Sequence, residues 1–145
     1  MKLRTIGYEA ATQAAVIGRL KAAGVAVVID VRAVASSRRA GFSKTILAAS
    51  LAEAGIGYVH LRALGTPKAG RQAVRAGRVA EMERIYADHL KEPRAQLELA
   101  QALEIARERP AALLCYEAEA LHCHRRIVAG RLVEAEKFEV EDLRP

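Results

Sequence analysis

An unbroken run of apolar, mostly β-branched residues at 25–31, VAVVIDV, constrains the fold more than any other feature of the sequence. A strand exposed on one face alternates apolar and polar side chains, whereas a continuous run is typical of a strand buried on both faces. A second such run, AALLCY, lies at 111–116. Two strands of this kind predict a sheet that is covered on both sides.

Helical segments separate the predicted strands. Further strands are predicted at 2–7, 56–61 and 137–140, and helices at 10–23, 44–54, 79–90, 94–107 and 121–135. Gly24 and Gly55 follow two of these helices, where the left-handed conformation that ends a helix favours glycine. The alternation predicts a single α/β domain over residues 1–145, with a mostly parallel sheet of about four or five strands and helices on both faces. Residues 62–77 are predicted to form a long basic loop, which is usually functional or mobile.

The sequence favours a cytoplasmic protein that does not contact a membrane. No apolar run approaches the roughly 18 residues that a membrane-spanning helix needs, and the first residues, MKLRTIGYE, turn polar too early for a signal peptide. Two cysteines without a targeting segment point to a reducing compartment, where structural disulfides are rare. The oligomeric state is left open.

Positive charge is concentrated in one third of the chain. Residues 31–80 contain nine Lys or Arg residues and a single acid, Glu53, whereas the rest of the chain contains 14 basic and 16 acidic residues. A localised basic region predicts an anionic partner, either a small molecule or a nucleic acid. The alternative is a solvated surface in a chain rich in arginine.

Polar residues follow four of the predicted strands. They lie at the end of each strand or directly after it, at 8–9, 30–32, 60–62 and 115–117. Right-handed crossovers bring the carboxyl ends of parallel strands to one edge of a sheet, and ligands of such sheets bind at that edge. We therefore expect the functional site there.

The same segments carry a resemblance to a known family. They are TIGYE at 5–9, VIDVR at 28–32, SSRRAGFSK at 36–44, AGIGYVHLRALGTPKAGR at 54–71 and LLCYEAEALHCHR at 113–125. In these segments the chain resembles a prokaryotic family known as domain of unknown function 488. The resemblance implies a small α/β domain in a stand-alone cytoplasmic protein, and it assigns no activity.

The most reactive group of side chains is predicted at 113–126. Cys123 is expected near the first turn of a helix, where the helix dipole and cationic neighbours raise the thiolate population. This makes Cys123 a candidate nucleophile with His124 as its base, or else a small buried core residue. Glu117 is either a general base or the ion-pair partner of Arg125.

Candidate ligand-binding residues lie mainly in the basic third. Asp30 and Arg32 straddle the end of a central strand, and they form either a structural ion pair or a site for a hydroxyl and a phosphate. The other candidates are Ser37, Arg38, Lys44 and Arg71 as phosphate contacts, Phe42 or Tyr58 as a ring on which a base could stack, and Arg125 at the start of the last helix.

The sequence predicts no metal and no cofactor. Cys115, His122, Cys123 and His124 are potential ligands, but their spacing is not that of a structural zinc site. No Gly-rich dinucleotide motif or Walker motif is present, and no arginine lies six residues after either cysteine, as cysteine phosphatases require. A redox pair of Cys115 and Cys123 is geometrically possible.

Two functions remain open from the sequence, which does not decide whether the protein is an enzyme. The first is an enzyme that acts on a nucleotide, a nucleic acid or another phosphorylated substrate. The second is a non-catalytic module that binds an anion or nucleotide and whose cysteines are structural.

Overall fold

The protein forms one five-stranded sheet in which all the strands are parallel. The structure is a computed structural model that describes the backbone of residues 1–145 and every side chain except that of His122. The strands are β1 Lys2–Gly7, β2 Val27–Asp30, β3 Gly57–His60, β4 Ala111–Cys115 and β5 Glu139–Leu143, in the spatial order β3-β2-β4-β1-β5. The predicted α/β class with a parallel sheet is confirmed.

Six α-helices connect the strands in the described chain. They are α1 Gln13–Ala22, α2 Lys44–Glu53, α3 Lys68–Arg75, α4 Val79–His89, α5 Pro93–Glu108 and α6 Arg125–Ala135, with short 3₁₀ turns at Arg62–Leu64 and Ala120–His122. Proline opens α5 at its first residue, where its missing N–H group is tolerated. Thr12 caps α1 by accepting a hydrogen bond from the N–H of Ala15 at 3.1 Å.

The core has two layers, one on each face of the sheet. Every residue of β2 and β4 is buried, as their sequences predicted. Val28 and Leu114 pack with α1 and α2 on one face, whereas Ile29 and Leu113 pack with α4, α5 and α6 on the other. Helices therefore cover both faces of the sheet.

The predicted basic loop at 62–77 is mostly helical, which corrects the sequence expectation. It contains a 3₁₀ turn and α3, and α3 buries Gly70 and Ala73. Gly70 lies against Thr66, and a Cβ atom on Gly70 would come within 2.4 Å of its methyl group. The helix is therefore stabilised by close packing of small residues, which a search for apolar periodicity does not detect.

Other predicted boundaries are wrong as well. The first helix begins at Gln13 instead of 10, and the strand predicted at 25–31 is Val27–Asp30. The last helix begins at Arg125 instead of 121, because residues before it form a 3₁₀ turn and Cys123 has extended backbone angles. The last strand is Glu139–Leu143 instead of 137–140, since it pairs in parallel with β1. No helix in the described part of the chain is both long and apolar enough to cross a membrane.

Truncating a core residue of β2 should destabilise the fold strongly. Ile29 has no exposed surface, so Ile29→Ala should lower the free energy of unfolding in urea by about 3 kcal/mol or more. Ile46 on α2 is 54% exposed and serves as the matched control, since Ile46→Ala should change it by about 0.5 kcal/mol or less. Equal losses in the two variants would contradict the assignment of β2 to the centre of the core.

Candidate functional site

The carboxyl ends of β1, β2 and β4 meet around a pocket of about 420 Å³. Tyr8 follows β1, Arg32 follows β2 and Cys115 ends β4, so polar strand ends gather at one edge as predicted. The full lining is Tyr8, Arg32, Ala33, Val34, Ser36, Thr66, Arg71, Val74, Arg75, Cys115, Tyr116, Glu117, Cys123 and His124. A volume of this size suits a small molecule.

The loop after β4 lies directly over the end of β1. A Cβ atom on Gly7 would come within 1.8 Å of the Glu117 carbonyl oxygen, so only glycine allows this approach. The N–H of Glu9 donates to the Tyr116 carbonyl at 2.8 Å, and the Glu9 carboxylate accepts from the N–H of Ala118 at 3.1 Å. These contacts fix the loop that carries Glu117 into the pocket.

The same loop brings the two cysteines of the chain together. Cys115 and Cys123 are eight residues apart, both are buried, and the structure joins their sulfur atoms as a disulfide. The sequence argument named this pair only as a geometric possibility. Both residues line the pocket.

A buried arginine reaches the first of these sulfurs. Arg125 has no exposed surface, and its Nη1 donates to Cys115 Sγ at 2.9 Å. The guanidinium also donates to the backbone carbonyls of Glu117 and Ala118, the latter at 3.2 Å. Arg125 forms no ion pair with any described carboxylate, and burial lowers its pKa. Sequence reasoning placed Arg125 among the ligand-binding residues, whereas its nitrogens contact the cysteine and the loop.

Glu117 approaches the same sulfur from the loop. Its Oε2 lies 3.4 Å from Cys115 Sγ, and burial raises the pKa of the Glu117 carboxyl. The contact between Arg125 and Glu117 runs through the backbone oxygen of Glu117, so the side-chain ion pair, one of the two roles that the sequence left open, is not formed. The carboxyl is therefore positioned to exchange a proton with a thiol or with a bound molecule.

His124 faces the second sulfur with an unprotonated nitrogen. Its Nε2 lies 2.6 Å from the carbonyl oxygen of Val31, which can only accept a hydrogen bond, so Nε2 carries the proton. The bare Nδ1 then faces Cys123 Sγ at 3.6 Å. Burial lowers the pKa of His124 to about 4, so the imidazole is neutral near pH 7. His124 can take a proton from Cys123 briefly but does not keep it, which weakens the predicted base.

Asp30 and Arg32 form a buried ion pair at 2.7 Å. Arg32 also donates to the Tyr8 hydroxyl at 3.0 Å and to the Phe42 carbonyl at 2.7 Å. Burial by itself would lower the pKa of Arg32, but the hydrogen bonds and charge of Asp30 raise it above its usual value. Of the two roles that the sequence left open, this geometry supports the structural ion pair, which braces the pocket wall.

Helix α3 contributes two arginines to the pocket lining. Arg71 is half-buried and donates to the Thr66 carbonyl at 2.7 Å, while Arg75 is exposed one helical turn later. Neither forms an ion pair with a described acid. Both guanidiniums therefore remain available for an anion in the pocket.

Seven predicted ligand contacts do not line the pocket, namely Asp30 and Arg125, described above, and Ser37, Arg38, Phe42, Lys44 and Tyr58. Phe42 is fully buried and stacks on Tyr8 with ring centroids 4.3 Å apart, so it cannot receive a base, and that prediction is wrong. Ser37 Oγ accepts a hydrogen bond from the N–H of Arg39 at 3.1 Å and shapes the loop. Arg38 and Lys44 are exposed outside the pocket.

Several pocket residues were not proposed as catalytic or ligand-binding residues from the sequence, among them Cys115, Tyr8, Tyr116 and Arg75. Tyr8 and Tyr116 directly follow strand ends, and their rings contact edge to face with centroids 5.4 Å apart. That position after a strand was a usable signal. Arg75 lies in the segment that was predicted to be a loop, so the direction of its side chain could not be inferred from helical periodicity.

Three potential metal ligands also meet here. Cys115 Sγ, Cys123 Sγ and His124 Nδ1 or Nε2 lie within 4.8 Å of one another. With the sulfurs bonded to each other, neither is a thiolate that could bind a metal. The side chain of His122, which the sequence argument also considered as a zinc ligand, lies outside the described part of the structure.

Comparison with known proteins identifies a family but no individual relative. The model of a family described as Domain of unknown function DUF488 matches residues 12–132, a range that contains every site residue predicted from the sequence. No curated protein and no solved structure matches the chain.

Acid should destabilise the fold through His124. The pKa of its imidazole is about 4 in the folded protein and about 6.5 when unfolded, so the unfolded chain binds more protons between these values. The stabilising contribution is full above about pH 6.5 and is lost as the pH falls towards 4. Urea unfolding across this pH range should show that the free energy of unfolding falls by up to about 3 kcal/mol more in wild type than in His124→Gln. The amide of the glutamine can still donate a hydrogen bond to Val31. Equal pH dependence would contradict the burial of a neutral imidazole.

Proposed function

The chain belongs to the family described as Domain of unknown function DUF488, and we propose that it is an enzyme that acts on a small anionic molecule through the thiolate of Cys115. The observation that carries this proposal is the contact between Arg125 Nη1 and Cys115 Sγ at 2.9 Å. A buried cation without a carboxylate partner favours a negative charge on the atom it contacts, and for a thiol that charge lowers the pKa.

The nucleophile in this proposal is Cys115 instead of the Cys123 favoured by the sequence. Cys123 faces a neutral imidazole, which does not hold the thiol proton, and it accepts only a backbone N–H from Arg125 at 3.5 Å. Cys115 faces a guanidinium at the shorter distance of 2.9 Å. Glu117 opposes this effect when ionised, but burial raises its pKa and so increases its neutral fraction.

The substrate in this proposal carries a phosphate or carboxylate group. Arg71 and Arg75 line the pocket beside Cys115, and guanidiniums bind both kinds of anion. The volume of about 420 Å³ supports a nucleotide-sized or smaller molecule over a nucleic acid strand. Glu117 exchanges protons with the reacting groups, and the Asp30–Arg32 ion pair holds the wall.

A non-catalytic anion-binding module is the second candidate. The observation that favours it is the disulfide itself, because bonded cysteines provide no nucleophile and would stabilise the loop after β4. In that case anion binding would be the same in the oxidised and the reduced protein.

The proposal is tested by the reaction of reduced protein with alkylating reagents of different charge. Iodoacetate is an anion and iodoacetamide is neutral, and peptide mass spectrometry follows each cysteine. Replacing both pocket arginines, Arg71→Gln with Arg75→Gln, should slow alkylation of Cys115 by iodoacetate about fivefold more than by iodoacetamide, because a partly solvated charge interaction is worth about 1 kcal/mol. The ratio of the two rates cancels any common change in thiolate population.

Arg78→Gln is the control, since Arg78 belongs to the same basic region but pairs with Glu81 outside the pocket. It should leave the rate ratio unchanged. An unchanged ratio in the Arg71–Arg75 double variant, or a native Cys115 that neither reagent modifies, would contradict the proposal.

A further inference from the structure

We propose that Cys115 and Cys123 form a dithiol–disulfide couple that reduces small disulfides carrying carboxylate or phosphate groups. This inference rests on the proposed function and specifies its substrate class. Its observation is that the second thiol of the chain lies within bonding reach of the first, inside the pocket that the arginines line.

The position of the second thiol restricts the chemistry of the first. If a substrate is attached to Cys115 through carbon or phosphorus, an attack by Cys123 on Cys115 Sγ does not release it. A substrate attached through sulfur forms a mixed disulfide, and a neighbouring thiol resolves that bond by attacking Cys115 Sγ. Such an attack would leave Cys115 bonded to Cys123, which is the pairing that the structure has.

The reaction balances in two exchanges. The Cys115 thiolate attacks one sulfur of the substrate disulfide, which forms a bond to Cys115 Sγ and releases the first substrate thiolate. Cys123 then attacks Cys115 Sγ as its thiolate, releases the second substrate thiolate and leaves the protein disulfide. The two cysteines are oxidised by two electrons and the substrate is reduced to two thiols. A dithiol, on a protein or a small molecule, returns the couple to its reduced form.

Neighbouring groups can accept and donate the protons that these two exchange steps require. His124 Nδ1, at 3.6 Å from Cys123 Sγ, accepts the proton as Cys123 attacks. The Glu117 carboxyl, at 3.4 Å from Cys115 Sγ, is positioned to protonate a departing thiolate. The N–H of Arg125, at 3.5 Å from Cys123 Sγ, stabilises the charge that develops there.

The test uses the full chain, reduced and freed of metal with a chelator, and two probes. Glutathione disulfide carries carboxylates, and bis(2-hydroxyethyl) disulfide is uncharged. With glutathione disulfide the wild type should form the Cys115–Cys123 bond, keep no adduct and release both substrate thiols. Cys123→Ser should instead stop at a stable glutathione adduct on Cys115 and release one thiol.

Two variants separate position from charge. Cys115→Ser should acquire glutathione on Cys123 at least about tenfold more slowly than Cys123→Ser acquires it on Cys115, because only Cys115 contacts the guanidinium. The Arg71→Gln and Arg75→Gln double variant should react about fivefold more slowly with glutathione disulfide. Its rate with the uncharged disulfide should stay within about twofold of wild type.

The outcomes distinguish this inference from the proposed function. If Cys123→Ser is alkylated at Cys115 by iodoacetate but forms no mixed disulfide, the disulfide substrate is wrong and the thiolate enzyme stands. If Cys115 reacts neither with iodoacetate nor with glutathione disulfide, both the inference and the proposed function fail. A wild type that retains glutathione on Cys115 would overturn the resolving role of Cys123. The inference would also be overturned if the protein as isolated held a zinc ion on its thiols and reacted with disulfides only after the zinc was removed.

Discussion

A guanidinium buried without a carboxylate partner is the constraint on which the site depends. Removing an arginine from water costs several kcal/mol unless its charge and N–H groups are compensated. For Arg125 the two Nη groups donate to the Glu117 and Ala118 carbonyls and to Cys115 Sγ, while its Nε–H has no hydrogen-bond partner among the described residues. One side chain of α6 thus holds the loop after β4 and places a guanidinium against the sulfur of Cys115.

The rest of the fold keeps that arrangement in place. Gly7 lets the loop lie against the end of β1, and the Asp30–Arg32 pair fixes the opposite wall by tying β2 to Tyr8 and to the backbone of Phe42. His124 ties the start of α6 to β2 through Val31. The parallel sheet brings these anchors to one edge, and α3 adds the arginines that face the pocket.

The parts of the fold that follow from burial were predictable from the sequence. Strands β2 and β4 were recognised because both faces of each are buried, which requires an unbroken apolar run. Helix α3 was missed because it is eight residues long and is held by the packing of Gly70 and Ala73, not by an apolar stripe. The start of α6 was misplaced because tertiary contacts, the Cys115–Cys123 bond and the His124 hydrogen bond, hold the residues before it out of the helix.

The site was predictable in place but not in pairing. Glu117, Cys123, His124, Arg32 and Arg71 were predicted and do line the pocket. Which sulfur meets which cation depends on how the loop folds back, and no local pattern encodes that path. Phe42 was misread because an aromatic ring in a basic segment resembles a stacking platform, whereas the hydrogen bond from Arg32 to its carbonyl holds that segment against the core.

The most direct test of the account is a pH titration of the Cys115 thiolate by its ultraviolet absorbance in the Cys123→Ser protein. With Arg125 present the midpoint should lie well below the free-thiol pKa of about 8.5. Adding Arg125→Gln should raise it by about one unit or more, whereas Arg126→Gln, which removes an arginine paired with Glu83, should not. A midpoint near 8.5 that is the same with and without Arg125 would contradict the claim that this guanidinium holds Cys115 as a thiolate.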